Sequence, residues 1–320
     1  MVGPILLGSL FAGVSVAHPH HDEGAMAETA LMTWDYAQPL RFGMQTDVVL
    51  PEMLWFASGY NKQARVREFS LGLVTECKLQ TMTRKRSEIA CVLTDVGIKA
   101  MSLPQEKGLL EPILGELDAR LTGITVQLQI RSDGSLKNID IDGLDRRNRR
   151  FGRINENMRL VLTRVFAGLD LPLPKQSAES GWLQHHSWLV SAPSVTGTAG
   201  VAEIVHKVIG RDGDRAFVAS AGRGTVSPND GVNIYRMRVE SETTLDTATG
   251  QLVERNWTMA GHPTPSSLIS QGFEGYPYLQ RGRIVALDAE DEWDVGMTAE
   301  IPATNNGMSA LQQQFMGPGL

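Results

Sequence analysis

Between residues 124 and 141 the chain reads ITVQLQIR, SDG, S, LKNIDI: two alternating apolar and polar runs joined by turn residues. That pattern constrains the fold more than any other feature, because alternation of period two puts one apolar face on a pleated strand, and Asp-Gly turns such strands back on themselves. The unit recurs at Val201 to Ile209, turned by Arg211-Asp-Gly-Asp214 into Ala216 to Ser220. It recurs again at Asn233 to Leu245, turned by Thr247-Ala-Thr-Gly250 into Leu252 to Met259. The fold class expected is therefore mainly β, with long antiparallel meanders. Strands longer than the usual five or six residues twist strongly and tend to curl, which points to a curved sheet or half-barrel.

The only two cysteines, Cys77 and Cys91, fit this scheme. Val66 to Thr81 reads as one strand and Ser87 to Ile98 as the next, so a turn centred on Arg84 sets residue 77 opposite residue 91. Directly opposed strand residues approach closely enough for a disulfide, and a Cys77–Cys91 bond is expected; two reduced, buried thiols are the alternative. Its short loop limits the stabilisation to about 3 kcal/mol or less.

One segment departs from the alternation. From Asp145 to Leu169, Phe151, Ile154, Met158, Val161, Leu162, Val165 and Phe166 recur at helical spacing, predicting one long amphipathic helix that ends before Leu171-Pro-Leu-Pro174. Its polar side carries Arg146, Arg147, Arg149, Arg150, Arg153, Arg159 and Arg164, which suit either a solvated face or anionic lipid headgroups. The expected organisation is a β-rich half over 35–174 closed by the helix at 145–169, a second β-rich half over 175–302, a flexible His-rich head at 18–34 and a flexible tail at 303–320.

Residues 1–17, MVGPILLGSLFAGVSVA, form an uncharged apolar run ending in small residues at Ser15 and Ala17. The run is too short to span a bilayer and reads as a signal peptide cleaved after Ala17, although no Lys or Arg precedes it. A buried N-terminal element is the alternative. Export makes the disulfide chemically sensible and leaves a soluble periplasmic or extracellular chain with no transmembrane span. The net charge of −6 argues against a nucleic-acid partner.

Candidate sites are few. Cleavage would expose His18, Pro19, His20 and His21, a cluster able to hold Cu or Zn, with Pro19 excluding the square-planar amino-terminal copper geometry; a solvated tail is the competing reading. Trp182 and Trp188 share strand parity and, with Phe151 and Met158 on the helix, are candidate lining for an apolar cavity or its lid; ordinary core packing is the alternative. The acidic run Asp288 to Asp294 lacks the Gly and Glu of a calcium loop and reads as a solvated loop. No nucleophile elbow, P-loop, HExxH or CxxC motif is present, so an enzyme, metal-dependent or otherwise, ranks third among the functions considered.

The leader, the meander with Arg131-Ser-Asp-Gly-Ser135, the helix ending in LPLP, Ser180-Gly-Trp182 and Asp246-Thr-Ala-Thr-Gly250 together resemble a group of exported bacterial β-meander proteins. Their meanders are in turn similar to curved-sheet lipid or lipoprotein carriers of the Lol and LppX type. The resemblance implies a curved antiparallel sheet around an apolar cavity with a helix as plug or lid, and carries over no individual site residue. The expected function is a non-enzymatic exported protein binding a lipid or other apolar or amphipathic ligand. A structural module meeting another cell-envelope protein is the second reading.

Overall fold

The computed structural model describes residues 40–58, 62–102, 107–132, 134–144, 152–170, 182–192, 195–229, 233–263 and 278–296. The alternating segments form β1 (Leu40–Ser58), β2 (Lys62–Met82), β3 (Arg86–Ser102), β4 (Thr125–Arg131), β5 (Leu136–Ile141), β6 (Trp182–Ala192), β7 (Val195–Asp212), β8 (Arg215–Asn229), β9 (Asn233–Asp246), β10 (Leu252–Pro263) and β11 (Tyr278–Leu287). All eleven lie in one antiparallel sheet in the order β5-β4-β3-β2-β1-β11-β10-β9-β8-β7-β6. The sheet is open, with β5 and β6 at its edges. The first and last of the described strands therefore meet in the middle, pairing from Arg41 with Leu287 to Val49 with Leu279.

The hairpins expected from the sequence are present. Glycines at positive φ, Gly213 at 54° and Gly250 at 70°, close the turns into β8 and β10, where a Cβ would be strained. Cys77 stands opposite Cys91 in the β2–β3 register, and the two form a disulfide.

Two helices are described, where the sequence predicted a single long one. Helix α1 (Lys107–Leu121) was not anticipated: Pro112 and Gly115 interrupt the sequence signal, yet Ile113, Leu117 and Leu121 are fully or almost fully buried. Packing against β1, β2 and β3 holds this helix despite its poor propensity. Helix α2 is described over Gly152–Phe166 and tightens into a 3-10 turn over Ala167–Leu169; residues 145–151, where the expected helix would begin, lie outside the described residues. Met158, Val161, Leu162, Val165 and Phe166 form its buried stripe, which matches the predicted amphipathic face. α2 packs against β1, β5 and β6. The Arg120 guanidinium donates to Asn155 Oδ1 at 2.8 Å, tying α1 to α2.

The core occupies one face of the sheet, here called inner, as the register requires. Met44 faces Leu73 on one side and Ile284 on the other, and Leu73 faces Val96. Farther along, Cys91 faces Val126, which faces Ile141. These side chains join the two helices in a single apolar cluster. Full burial contributes roughly 1.5–3 kcal/mol for each large side chain, offset by its lost conformational freedom.

The β1–β11 seam is covered on both faces by tryptophan. On the inner face a Cβ at Gly282 would collide with the Trp257 ring; on the outer face one at Gly43 would collide with Trp293. Glycine is thus what lets each indole lie flat on the strands. Trp293 belongs to the segment after β11, which crosses the outer face so that the Val295 backbone lies on Gly72 and Gly97. The Arg283 guanidinium lies 5.9 Å from the Trp293 ring centroid, and the Arg41 guanidinium donates to the carbonyls of Asp288, Ala289 and Asp291 at 2.8–3.3 Å.

Candidate functional site

The inner face changes chemistry across the seam. On β1–β4 its inward positions are almost all apolar, whereas β7–β11 place buried polar groups in the same register rows. One row runs from Thr46 through Gly282, Trp257, Ser241 and Ser220 to His206. The adjoining row runs through Ile284, Arg255, Thr243 and Val218. Ser220, Ser241, Thr243 and His206 are all less than 3% exposed.

Buried polar groups need partners, and most of these have them. His206 Nδ1 and Ser220 Oγ share a 2.7 Å hydrogen bond. Gln280 donates to Thr46 Oγ1, which itself donates to the Arg281 carbonyl. Arg255 donates to the carbonyls of Gly168 and Asp170 at 2.8 and 2.7 Å, at the exit of the 3-10 turn, and more distantly to Ser241 Oγ at 3.4 Å. Burial pulls the Arg255 guanidinium down from its ordinary value to about 10, and the Asp170 carboxylate opposes that fall, so the group remains charged at neutral pH. Among the described residues, Arg255 Nε and Thr243 Oγ1 have no hydrogen-bond partner although both atoms are buried.

Ile204 and Val239 form a second, small apolar cluster, and Met259 packs both against it and against the main core. Val239 pairs with Gly222, which pairs with Ile204, so the cluster is one further row of the inner face. The β7–β11 side therefore sets buried polar groups among main-core side chains, Trp257, Ile284 and Val218, with the small Ile204–Val239 cluster alongside.

The predicted site residues are only partly gathered here. Met158 is 1% exposed and packs in the main core on α2. Trp182 and Trp188 lie on β6 at register positions opposite His206 and Gly200. Phe151, His18, His20 and His21 lie outside the described residues. Among the described residues no three His, Cys, Asp or Glu side chains converge as metal ligands. Arg159 on the predicted basic helix face pairs with Asp140 of β5 at 2.8 Å. The acidic run exposes its carboxylates, as expected for a solvated loop, yet its backbone is held by Arg41.

Sequence reasoning missed the belt. Its signal is faint but present: Ser220, Ser241, Thr243 and His206 occupy inward positions, which alternate with exposed or half-buried ones along β7 and β9. A concavity of about 1240 Å³ opens on the outer face between Arg41, Glu76, Lys78, Asp95, Trp293 and Asp294. Its walls mix these charged groups with Leu40, Val74, Leu287 and Ala289. No protein-family model matches the chain, and no curated protein matches it.

Proposed function

We propose that this is an exported, non-enzymatic carrier that holds an amphipathic ligand, a lipid or lipid-modified molecule, against the inner face of β7–β11. The observation that carries the reading is the mixed chemistry of that face, where Arg255, Thr243, Ser241, Ser220 and His206 stand among the apolar Trp257, Val218, Met259, Val239 and Ile204. A half-barrel is the matching architecture. Supporting it, α2 packs against both edge strands, β5 and β6, and against the central β1. Eleven strands spaced about 4.8 Å apart would separate the edges of a flat sheet by far more than the width of one helix, so such contacts favour a strongly curled sheet. The short apolar leader and the Cys77–Cys91 disulfide are both compatible with export.

The test is organic extraction and mass spectrometry of the purified protein, followed by titration of the delipidated protein with cis-parinaric acid. A stoichiometric amphiphile, or saturable probe binding, is expected. Val239→Trp, which fills the patch, should lower the occupancy, while Ile209→Trp on an exposed side chain should not. Absence of both an extracted ligand and probe binding, or equal binding by the two variants, would overturn the reading.

A further inference from the structure

The chain is acidic overall, with a net charge of −6, yet one end of the sheet gathers cations around an exposed apolar side chain. The β2–β3 hairpin closes over Thr83, Arg84 and Lys85, with Arg86 beginning β3. Next to it, β4 ends at Arg131. Arg86 and Arg131 are directly opposite in the β3–β4 register, an arrangement in which like charges repel. Arg86 is relieved by Glu88 at 3.3 Å, and Arg131 donates to Ser135 Oγ at 3.0 Å. The side chains of Arg84 and Lys85 are exposed and take part in no ion pair among the described residues. Four cations thus stand against one described carboxylate; Asp133, in the adjoining turn, lies outside the described residues.

Met82 lies within this cluster and is 71% exposed. It continues the inner-face parity past Leu79, the last residue of β2 that packs on the core, and projects beyond it. A thioether side chain in water gains nothing from that position, whereas an interfacial environment would bury it.

The tip is also braced. Thr83 N and Oγ1 both donate to the Arg86 carbonyl, at 2.8 and 3.1 Å, and Thr83 Oγ1 accepts from Arg86 N at 3.2 Å. Ser132 N donates to the Lys85 carbonyl at 3.1 Å, stitching the β2–β3 tip to the β4–β5 turn. A surface that holds its shape loses less freedom on binding.

We propose that this paired tip, Met82 with Arg84, Lys85, Arg86 and Arg131, docks on an anionic phospholipid surface, the cations meeting headgroups and Met82 entering the acyl boundary. Charge complementarity selects an anionic partner. The exposed methionine selects a membrane over an acidic protein or a nucleic acid, since it needs an apolar layer behind the charge. The site is distinct from the inner face and does not depend on what that face holds.

The experiment is co-sedimentation of the purified protein with phosphatidylcholine vesicles, with and without phosphatidylglycerol, at low and high salt. Binding should require phosphatidylglycerol and weaken with salt. Arg84→Ala and Lys85→Ala should each reduce it about fivefold, the equivalent of about 1 kcal/mol per cation near a charged surface. Both residues are exposed, so circular dichroism of the variants should be unchanged. For insertion, Met82→Cys carrying an NBD label should shift to the blue on phosphatidylglycerol vesicles. Equal binding to both vesicle types, or binding untouched by the two alanine variants, would overturn the proposal. So would a label that stays in water while binding remains charge-dependent, which would identify the tip as a site for an acidic macromolecule instead.

Discussion

Strands β2–β4 and β8–β10 stand on opposite sides of the β1–β11 seam and turn the same face inward. Where the first set presents Leu71, Leu73, Leu93, Val126 and Leu128, the second presents Thr243, Ser241, Ser220 and Arg255. On the β2–β4 side α1 packs directly on β2 and β3, so an apolar row meets apolar side chains and needs no hydrogen-bond partner. On the β8–β10 side the buried groups bond mainly to one another and to the end of the 3-10 turn. The lesson is that register fixes which face is inward, while the covering surface decides whether that face can be wholly apolar.

The sharpest way to break this contrast is truncation. Phe166→Ala on α2 empties a fully buried site and should cost about 3–5 kcal/mol in urea denaturation. Val239→Ala in the small patch should cost about 1.5 kcal/mol, two methyl groups' worth of transfer. Equal losses would mean that the two sides are packed alike. Reduction of Cys77–Cys91, which are 14 residues apart, should remove up to about 3 kcal/mol. Hydrogen exchange should then show faster local opening in β2–β4 while β8–β9 keeps its protection.

Smaller effects probe the belt and its counterpart. Ser220→Ala deletes the partner of His206 Nδ1 in a buried site, and a loss of about 1–3 kcal/mol is expected by thermal or urea unfolding. A neutral result would show that water reaches the belt. The smallest effect belongs to Asp118 on α1. Burial raises its carboxyl above the ordinary 3.8, Asp95 adds to the rise, and the Ile98 backbone opposes it. A carboxyl raised in the folded state costs nothing while both states are protonated. Its penalty sets in as pH rises from the unfolded value through the folded one. Asp118→Asn should therefore raise stability at neutral pH by less than about 1 kcal/mol, because the group is partly solvated, and the gain should vanish in acid.

What could be read from the sequence was local. The β4–β5, β7–β8 and β9–β10 hairpins follow from alternation interrupted by Gly-containing turns, and the cysteine pairing from equal distances about Arg84. The α2 stripe was legible because its apolar residues recur without interruption. Helix α1 was not, because Pro112 and Gly115 mask a segment that tertiary packing makes helical. Nor was the meeting of β1 with β11, since nothing in either strand names a partner more than 200 residues away. Trp293 sits within the run Asp288 to Asp294, whose acidic residues mark only a solvated loop. The glycines within strands, Gly43, Gly72 and Gly97, were its hidden signature, each marking where another backbone or ring comes close. The polar belt escaped notice because Ser and His at single inward positions look like ordinary strand composition until register aligns them.

The pairing of Arg41 with Leu287 also sets a schedule. Each hairpin arm can zip from its own turn as it is made, but the middle of the sheet has to wait for β11, the last of the described strands. Closing so long a loop is slow, and until it happens two half-sheets each expose an unpaired central edge. A chain built this way stays open late, and during that interval it depends on whatever keeps exposed edges apart.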